Sequence, residues 1–193
     1  MKLDSHFWSK KYKLQQTGWD IGYAAPAIVS YFDQLDDKNV KILIPGCGNA
    51  YEAIHLFEKG FKNIYILDFV KETLEKFEKK HPDFPKKQIL FKDFFSLEEQ
   101  FDFIIEQTFF CALLPNQRKE YVTKMKSLLK PGGKLVGIFF DIDFEKSGPP
   151  FGGNKKEYLK LFSSSFKIKT LEKCYNSIPP RMGNELFFIF EAD

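Results

Sequence analysis

Cysteine is scarce in this sequence: three residues in 193, Cys47, Cys111 and Cys174, widely spaced and odd in number. Such a set is poor material for a disulfide framework or a zinc site and suits a reducing, cytoplasmic setting. Histidine is equally sparse. His6, His55 and His81 are scattered, and no Ser-His-Asp, Cys-His or metal-ligand spacing emerges. No apolar run approaches the roughly 20 residues of a membrane-spanning helix. The opening MKLDSHFWSKKYK lacks the apolar segment of a secretory leader. Neither a membrane partner nor a bound metal is therefore expected. Arginine is nearly missing, with only Arg118 and Arg181 beside 27 lysines. The lysines are interleaved with acidic residues, the net charge is only +3, and no basic stripe forms. That pattern argues against a nucleic-acid partner. Its densest cluster, KKHPDFPKK at 79–87, reads as a solvated helix end and loop.

Phenylalanine is plentiful, with 23 residues, which implies an aromatic core. With no repeat, low-complexity tract or linker, residues 1–193 are expected to form one domain, residues 1–36 being an N-terminal helical lid or extension. From residue 40 onward, apolar runs alternate with amphipathic stretches. VKILIP, NIYILD, QILFKD, FDFIIEQ, KLVGIFF, FKIKTLEKC and ELFFIFEA read as strands. YEAIHLFEKG, VKETLEKFEKK, NQRKEYVTKMKSLLK and KKEYLKLF read as helices, with Gly60 and Pro82 as stops and Pro131-Gly132-Gly133 as a turn. The early strands are almost wholly apolar, as expected where both faces of a sheet are covered. The alternation predicts an α/β fold: a doubly wound, seven-stranded, mostly parallel sheet. YNSIPPRMGN, at 175–184, is too short for a crossover helix, so the sheet should end in an antiparallel hairpin.

The first strand ends in Pro45-Gly46-Cys47-Gly48. Position 51 is Tyr51 rather than the third glycine of a dinucleotide fingerprint, and no phosphate-loop Lys-Ser/Thr follows. Acidic residues then close the next strands. Asp68, followed by Phe69, stands 20 residues after Gly48, where a carboxylate accepts hydrogen bonds from ribose hydroxyls. Asp93 is placed for an adenine amino group, with Phe94 and Phe95 flanking the ring. Glu106 and Gln107 end the fourth strand, Glu106 being either a ligand contact or a solvated strand end. A carboxylate-rich cleft around a glycine turn suits a cationic nucleoside without pyrophosphate, which S-adenosylmethionine matches.

The sequence PGCG, YILD, KDFF, FDFIIEQTFFCALLP, LLKPGGKL and GPPFGG, preceded by FWSKKYKLQQTGWDIGYAAPAI and followed by SIPPRMGNE, resembles the thiopurine S-methyltransferase superfamily. The resemblance is nearest to its halide and thiol methyltransferase branch. It implies a Rossmann-like methyltransferase fold, S-adenosylmethionine as donor and S-adenosylhomocysteine as product. It implies that Trp8, Tyr12 and Trp19 close over the cofactor, and that Gly46, Asp68, Asp93 and Phe94 hold it. Cys47 and Gly48 belong to the same motif. Gln107 stands where relatives vary.

The expected reaction is in-line methyl transfer to a small soft nucleophile: a thiol, hydrosulfide or halide, with a thiopurine less favoured. Alignment and exclusion of water then suffice, with no obligatory nucleophile on the protein. GPPFGG, the extension and SIPPRMGN should roof the acceptor. Arg181 is the candidate anion contact, and Asp141 and Asp143 are weaker candidates for substrate contact. A larger acceptor, or a non-catalytic protein that only binds the donor, is the alternative. A small-molecule partner and a monomer or weak homo-oligomer complete the expectation.

Overall fold

The computed structural model describes residues 2–145 and 147–193. Seven strands form one sheet: β1 (Lys41–Pro45), β2 (Asn63–Asp68), β3 (Ile89–Phe91), β4 (Phe101–Gln107), β5 (Leu129–Phe140), β6 (Lys167–Lys173) and β7 (Glu185–Glu191). Their order is β3-β2-β1-β4-β5-β7-β6. Strands β1 to β5 pair in parallel, whereas β7 is antiparallel to both β5 and β6. The chain moves outward from β1 to β3, then crosses back to β4. The carboxyl ends of β1 and β4 therefore flank a switch point, where open α/β sheets bind ligands.

Among the described residues, six α-helices accompany the sheet: α1 (Ser5–Lys13), α2 (Pro26–Phe32), α3 (Tyr51–Glu58), α4 (Lys71–Lys80), α5 (Arg118–Ser127) and α6 (Lys155–Phe162). Successive strand residues point to opposite faces, so the doubly apolar strands feed two cores. Ile42, Ile44 and Ile105 pack with Ile28, Phe32, Leu56 and Phe77 of α2, α3 and α4. Leu43, Ile104 and Leu135 pack with Tyr121 and Phe162 of α5 and α6. The phenylalanines concentrate on this second face, where Phe139 stacks on Phe188 at 4.0 Å between ring centroids.

The expected elements are present with three adjustments. The third strand is shorter than QILFKD, because Gln88 belongs to a 3₁₀ turn and Asp93 caps another. Helix α5 ends at Ser127, and LLKPGG joins β5 instead. Pro131-Gly132-Gly133 lies in an irregularity of that strand, where the register jumps from Phe101 opposite Leu129 to Phe103 opposite Lys134. A proline is tolerated there because its missing N–H interrupts no regular ladder. The N-terminal extension is two different things. Helix α2 buries Ala27, Ile28 and Phe32 in the core, while α1 buries no residue.

Candidate active site

The chain leaves β1 through Gly46 at φ +59° and Gly48 at φ +52°, conformations that favour glycine. A Cβ at Gly46 would overlap the Phe109 ring, and one at Gly48 would press on the Tyr12 hydroxyl at 2.8 Å. The turn is braced from β2: the Cys47 N–H donates to the Leu67 carbonyl at 3.1 Å, and the Gly48 N–H donates to Asp68 Oδ2 at 3.1 Å. Asp68 Oδ1 accepts from the Val70 N–H at 2.9 Å. Burial pushes the Asp68 carboxyl upward in pKa while these N–H donors oppose it. A carboxylate has about four acceptor positions, so Asp68 keeps capacity for a ligand.

Above this turn lies a cavity of about 580 Å³, well within the range of small-molecule sites. Gly46, Asp68 and Phe69 line its floor, and Asp93, Phe94 and Phe95 one flank. The Asp93 carboxylate accepts from the Phe95 N–H at 2.7 Å, and Phe94 meets Phe109 edge-on at 5.1 Å. Trp8, Tyr12 and Trp19 wall the side contributed by the extension. Trp19 is their hub, with its ring centroid 5.3 Å from that of Trp8 and 5.6 Å from that of Tyr12. The extension is tied to the glycine turn through Asp20, whose Oδ2 accepts from Asn49 Nδ2 at 2.6 Å and from the Tyr51 hydroxyl at 3.4 Å. Glu52 Oε1 accepts from the Ala25 N–H at 2.9 Å. Tyr51, which breaks the dinucleotide fingerprint, thus helps to anchor the N-terminal extension.

The other end of the cavity is apolar with one cation. Phe140, Ile142, Phe144, Pro149 and Pro150 line it, as does Arg181. The guanidinium carbon of Arg181 lies 5.4 Å from the Phe140 ring centroid. Its Nη2 donates to the Trp19 carbonyl at 2.9 Å and its Nη1 to Glu185 Oε1 at 3.4 Å. The Arg181 and Glu185 side chains are 11% and 4% exposed, so this is a buried pair. Arg118 plays a parallel part outside the cavity, donating from Nη2 to the Gly152 carbonyl at 2.7 Å and holding the GPPFGG loop.

Several residues expected at the site are placed elsewhere. Cys47 and Gly48 do not line the cavity, because Tyr12 covers the turn at that point. Burial holds the Cys47 thiol well above its usual pKa, which leaves no thiolate there. Asp141 is drawn away by Lys173 Nζ at 2.6 Å and by the Lys155 N–H at 3.2 Å. Asp143 is also outside the lining. Glu106 is fully buried and outside the cavity lining, so it is not a solvated strand end. Its Oε1 accepts from the Phe109 and Phe110 N–H groups at 2.8 and 2.9 Å, and its Oε2 from the Tyr121 hydroxyl at 2.6 Å. Gln107 also misses the lining, and its Oε1 is buried without a hydrogen-bond partner.

The sequence reading singled out neither Thr108 nor Phe109, which line the cavity, whereas Cys111, read as lying near the site, lines it too. Thr108 sits at φ +58°, rare for a β-branched residue, and swings the chain so that Phe109 rather than Gln107 meets Gly46. The repeated phenylalanines of QTFFCA are the one signal that pointed there. Among the described residues, no three His, Cys, Asp or Glu side chains converge as a metal would require, and no helix is long and apolar enough to cross a membrane.

Comparison with known proteins adds an independent line. Residues 3–191 match the family model for thiopurine S-methyltransferase. The chain is 33% identical over 184 residues to probable thiol methyltransferase 2 of Arabidopsis thaliana, covering 92% of this chain and 81% of that one. It is 29% identical, with the same coverage, to thiocyanate methyltransferase 1 of that plant. Among solved structures, 1,6-didemethyltoxoflavin-N1-methyltransferase of Burkholderia thailandensis, with bound 1,6-didemethyltoxoflavin and S-adenosylhomocysteine, superposes with a TM-score of 0.80 at 15% identity. That alignment covers 98% of this chain and 87% of that one, and at such identity it speaks to the fold.

Proposed function

Because the chain belongs to the thiopurine S-methyltransferase family, we propose that its cavity takes S-adenosylmethionine over the glycine turn and a small anionic sulfur or halide acceptor beside Arg181. The chain is an S-adenosylmethionine-dependent methyltransferase. The relatives named for thiol and thiocyanate support a soft acceptor of this kind.

The residues present fit the donor. Gly46, packed too close to Phe109 for any side chain, presents bare backbone to the cavity, Asp68 has unused acceptor capacity, and the cavity is large enough. Asp68 would hold the ribose hydroxyls and Asp93 the adenine amino group, with Phe94 and Phe95 against the ring. Trp8, Tyr12 and Trp19 would offer aromatic faces to the sulfonium, each cation–aromatic contact contributing about 0.5–2 kcal/mol. When bound, the donor supplies a methyl group activated by positive sulfur.

The chain's own contribution is orientation and exclusion of water. The Arg181 guanidinium draws an anion to an end walled by Phe140, Ile142, Phe144, Pro149 and Pro150. Stripped of water there, a soft anion is a better nucleophile. The observation that carries this reading is that, among the described residues, neither carboxylate nor imidazole lines the acceptor end. An acceptor that enters already ionised suits such an end. A headspace assay with S-adenosylmethionine and, separately, hydrosulfide, methanethiol, thiocyanate and iodide tests it, with Asp68→Ala as the blank. Volatile methylated product above that blank is the expected result. Donor binding without product from any of the four would direct attention to a larger acceptor.

A further inference from the structure

The two arginines of the chain both donate to backbone carbonyls of elements that roof the cavity, Arg118 to Gly152 and Arg181 to Trp19. The second link is notable for what little else restrains the lid. Helix α1 has no buried residue, and its side-chain ties to α4 are exposed: Ser9 to Glu72 at 3.0 Å and Lys13 to Glu72 at 3.5 Å. Exposed pairs of this kind hold weakly. The rings of Trp8 and Tyr12 are gathered edge-on around Trp19, so whatever fixes Trp19 fixes the wall. Asp20, the residue after Trp19, is secured by accepting from Asn49 Nδ2. Arg181 secures Trp19 itself from the opposite side, across 162 residues of sequence. Its own position is fixed by Glu185 in a buried setting, and a charged donor makes a hydrogen bond roughly twice as strong as a neutral one.

We propose that Arg181 is the clasp of the aromatic lid, a positioning residue whose bond to the Trp19 carbonyl sets how tightly the donor is enclosed before any acceptor arrives. This rests on the donor site proposed above. It also makes the acceptor end and the lid share one cation. A guanidinium has five N–H donors, two of which are used here, so an anion can engage Arg181 without opening the clasp. A lysine, with its compact ammonium, would not span Glu185, Trp19 and an anion in the same fixed fork.

Both tryptophans of the chain, Trp8 and Trp19, belong to this wall, so intrinsic fluorescence reports it without interference. Wild type, Arg181→Met, Glu185→Gln and the double variant Arg181→Met/Glu185→Gln would be titrated with S-adenosylhomocysteine in the absence of acceptor, by fluorescence and by calorimetry. The double variant removes the buried counter-charge together with the cation and so keeps the test open if Arg181→Met alone fails to fold. Loss of a charge-assisted hydrogen bond predicts roughly tenfold weaker binding in the Arg181 variants. It also predicts red-shifted tryptophan emission and partial restoration of both by free guanidinium ion, with Glu185→Gln, which loosens the clasp without removing its cation, falling between wild type and the Arg181 variants. Wild-type affinity and emission in a folded double variant would overturn the clasp. Failure of wild type itself to bind S-adenosylhomocysteine would instead overturn the donor reading on which the clasp depends.

Discussion

Glu106 shows how one buried side chain can shape a site it does not touch. Its carboxylate accepts from Phe109, Phe110 and Tyr121 and so fixes the ring that closes over Gly46. Burial, opposed by those three donors, raises its pKa from 4.5 to about 7. A carboxyl whose folded-state value lies above its unfolded value stabilises fully below the unfolded pKa and loses that contribution as pH rises through the folded one. The melting temperature of wild type should therefore fall, relative to Glu106→Gln, between pH 4.5 and about 7, as thermal denaturation across that range would reveal. Glutamine keeps an oxygen for the two backbone donors, whereas Glu106→Ala orphans them and should cost about 1–3 kcal/mol for each buried donor left unpaired. The carboxylate at the end of β4 was visible in FDFIIEQ, but its burial was not. Glu106 pairs with Gly137 inside the sheet, and Thr108 turns at positive φ just beyond it, a conformation that threonine does not advertise. Gly46 was legible for the opposite reason, since a glycine between an apolar strand and an amphipathic helix already implies a close approach.

At the scale of elements, legibility followed how far each segment's stop was written locally. Helix α3 closes with Gly60 at φ +87°, where the Gly60 and Phe61 N–H groups return to the Phe57 and Leu56 carbonyls. That is the glycine-terminated cap expected from EKGF. No atom lies within 4 Å of a Cβ built at Gly60, so Gly60→Ala should cost only the strain of a left-handed alanine, about 1–2 kcal/mol. Chemical denaturation should detect this loss while donor affinity stays unchanged. The boundary between α5 and β5 was less legible. LLK continues a helical pattern, yet Leu129 pairs with Phe101, because the sheet offers this segment a ladder that no local signal encodes. The same holds for the extension. Both halves read as helical, but only contacts with Phe61 and Phe103 show that Phe32 of α2 belongs to the core.

For the whole molecule, the division of labour between donor and acceptor ends predicts a characteristic pH response. If the acceptor enters already ionised, as proposed, turnover of a thiol should track that thiol's own ionisation, while thiocyanate and iodide, ionised throughout, should give flat profiles. These profiles are best compared in Glu106→Gln, so that the titration of Glu106 does not enter. Initial rates across pH for one thiol and one halide would decide it, and a matching bell for both would point to an ionisable group on the enzyme. The alternation of strands and helices made the doubly wound sheet readable, and the short YNSIPPRMGN connection made its antiparallel end readable too. Which strand slot β7 fills was not written in either.

That slot has a consequence for biogenesis. The seventh strand in chain order lies between β5 and β6, bonded to both. A nascent chain that has produced everything up to β6 holds two unsatisfied strand edges and a half-built phenylalanine layer awaiting Phe188 and Phe190. Domains tend to fold as units during synthesis, and unpaired edges invite aggregation until they do. Stalled or proteolytically shortened chains lacking β7 should therefore be trapped by chaperones or precipitate, rather than persist as a smaller folded core.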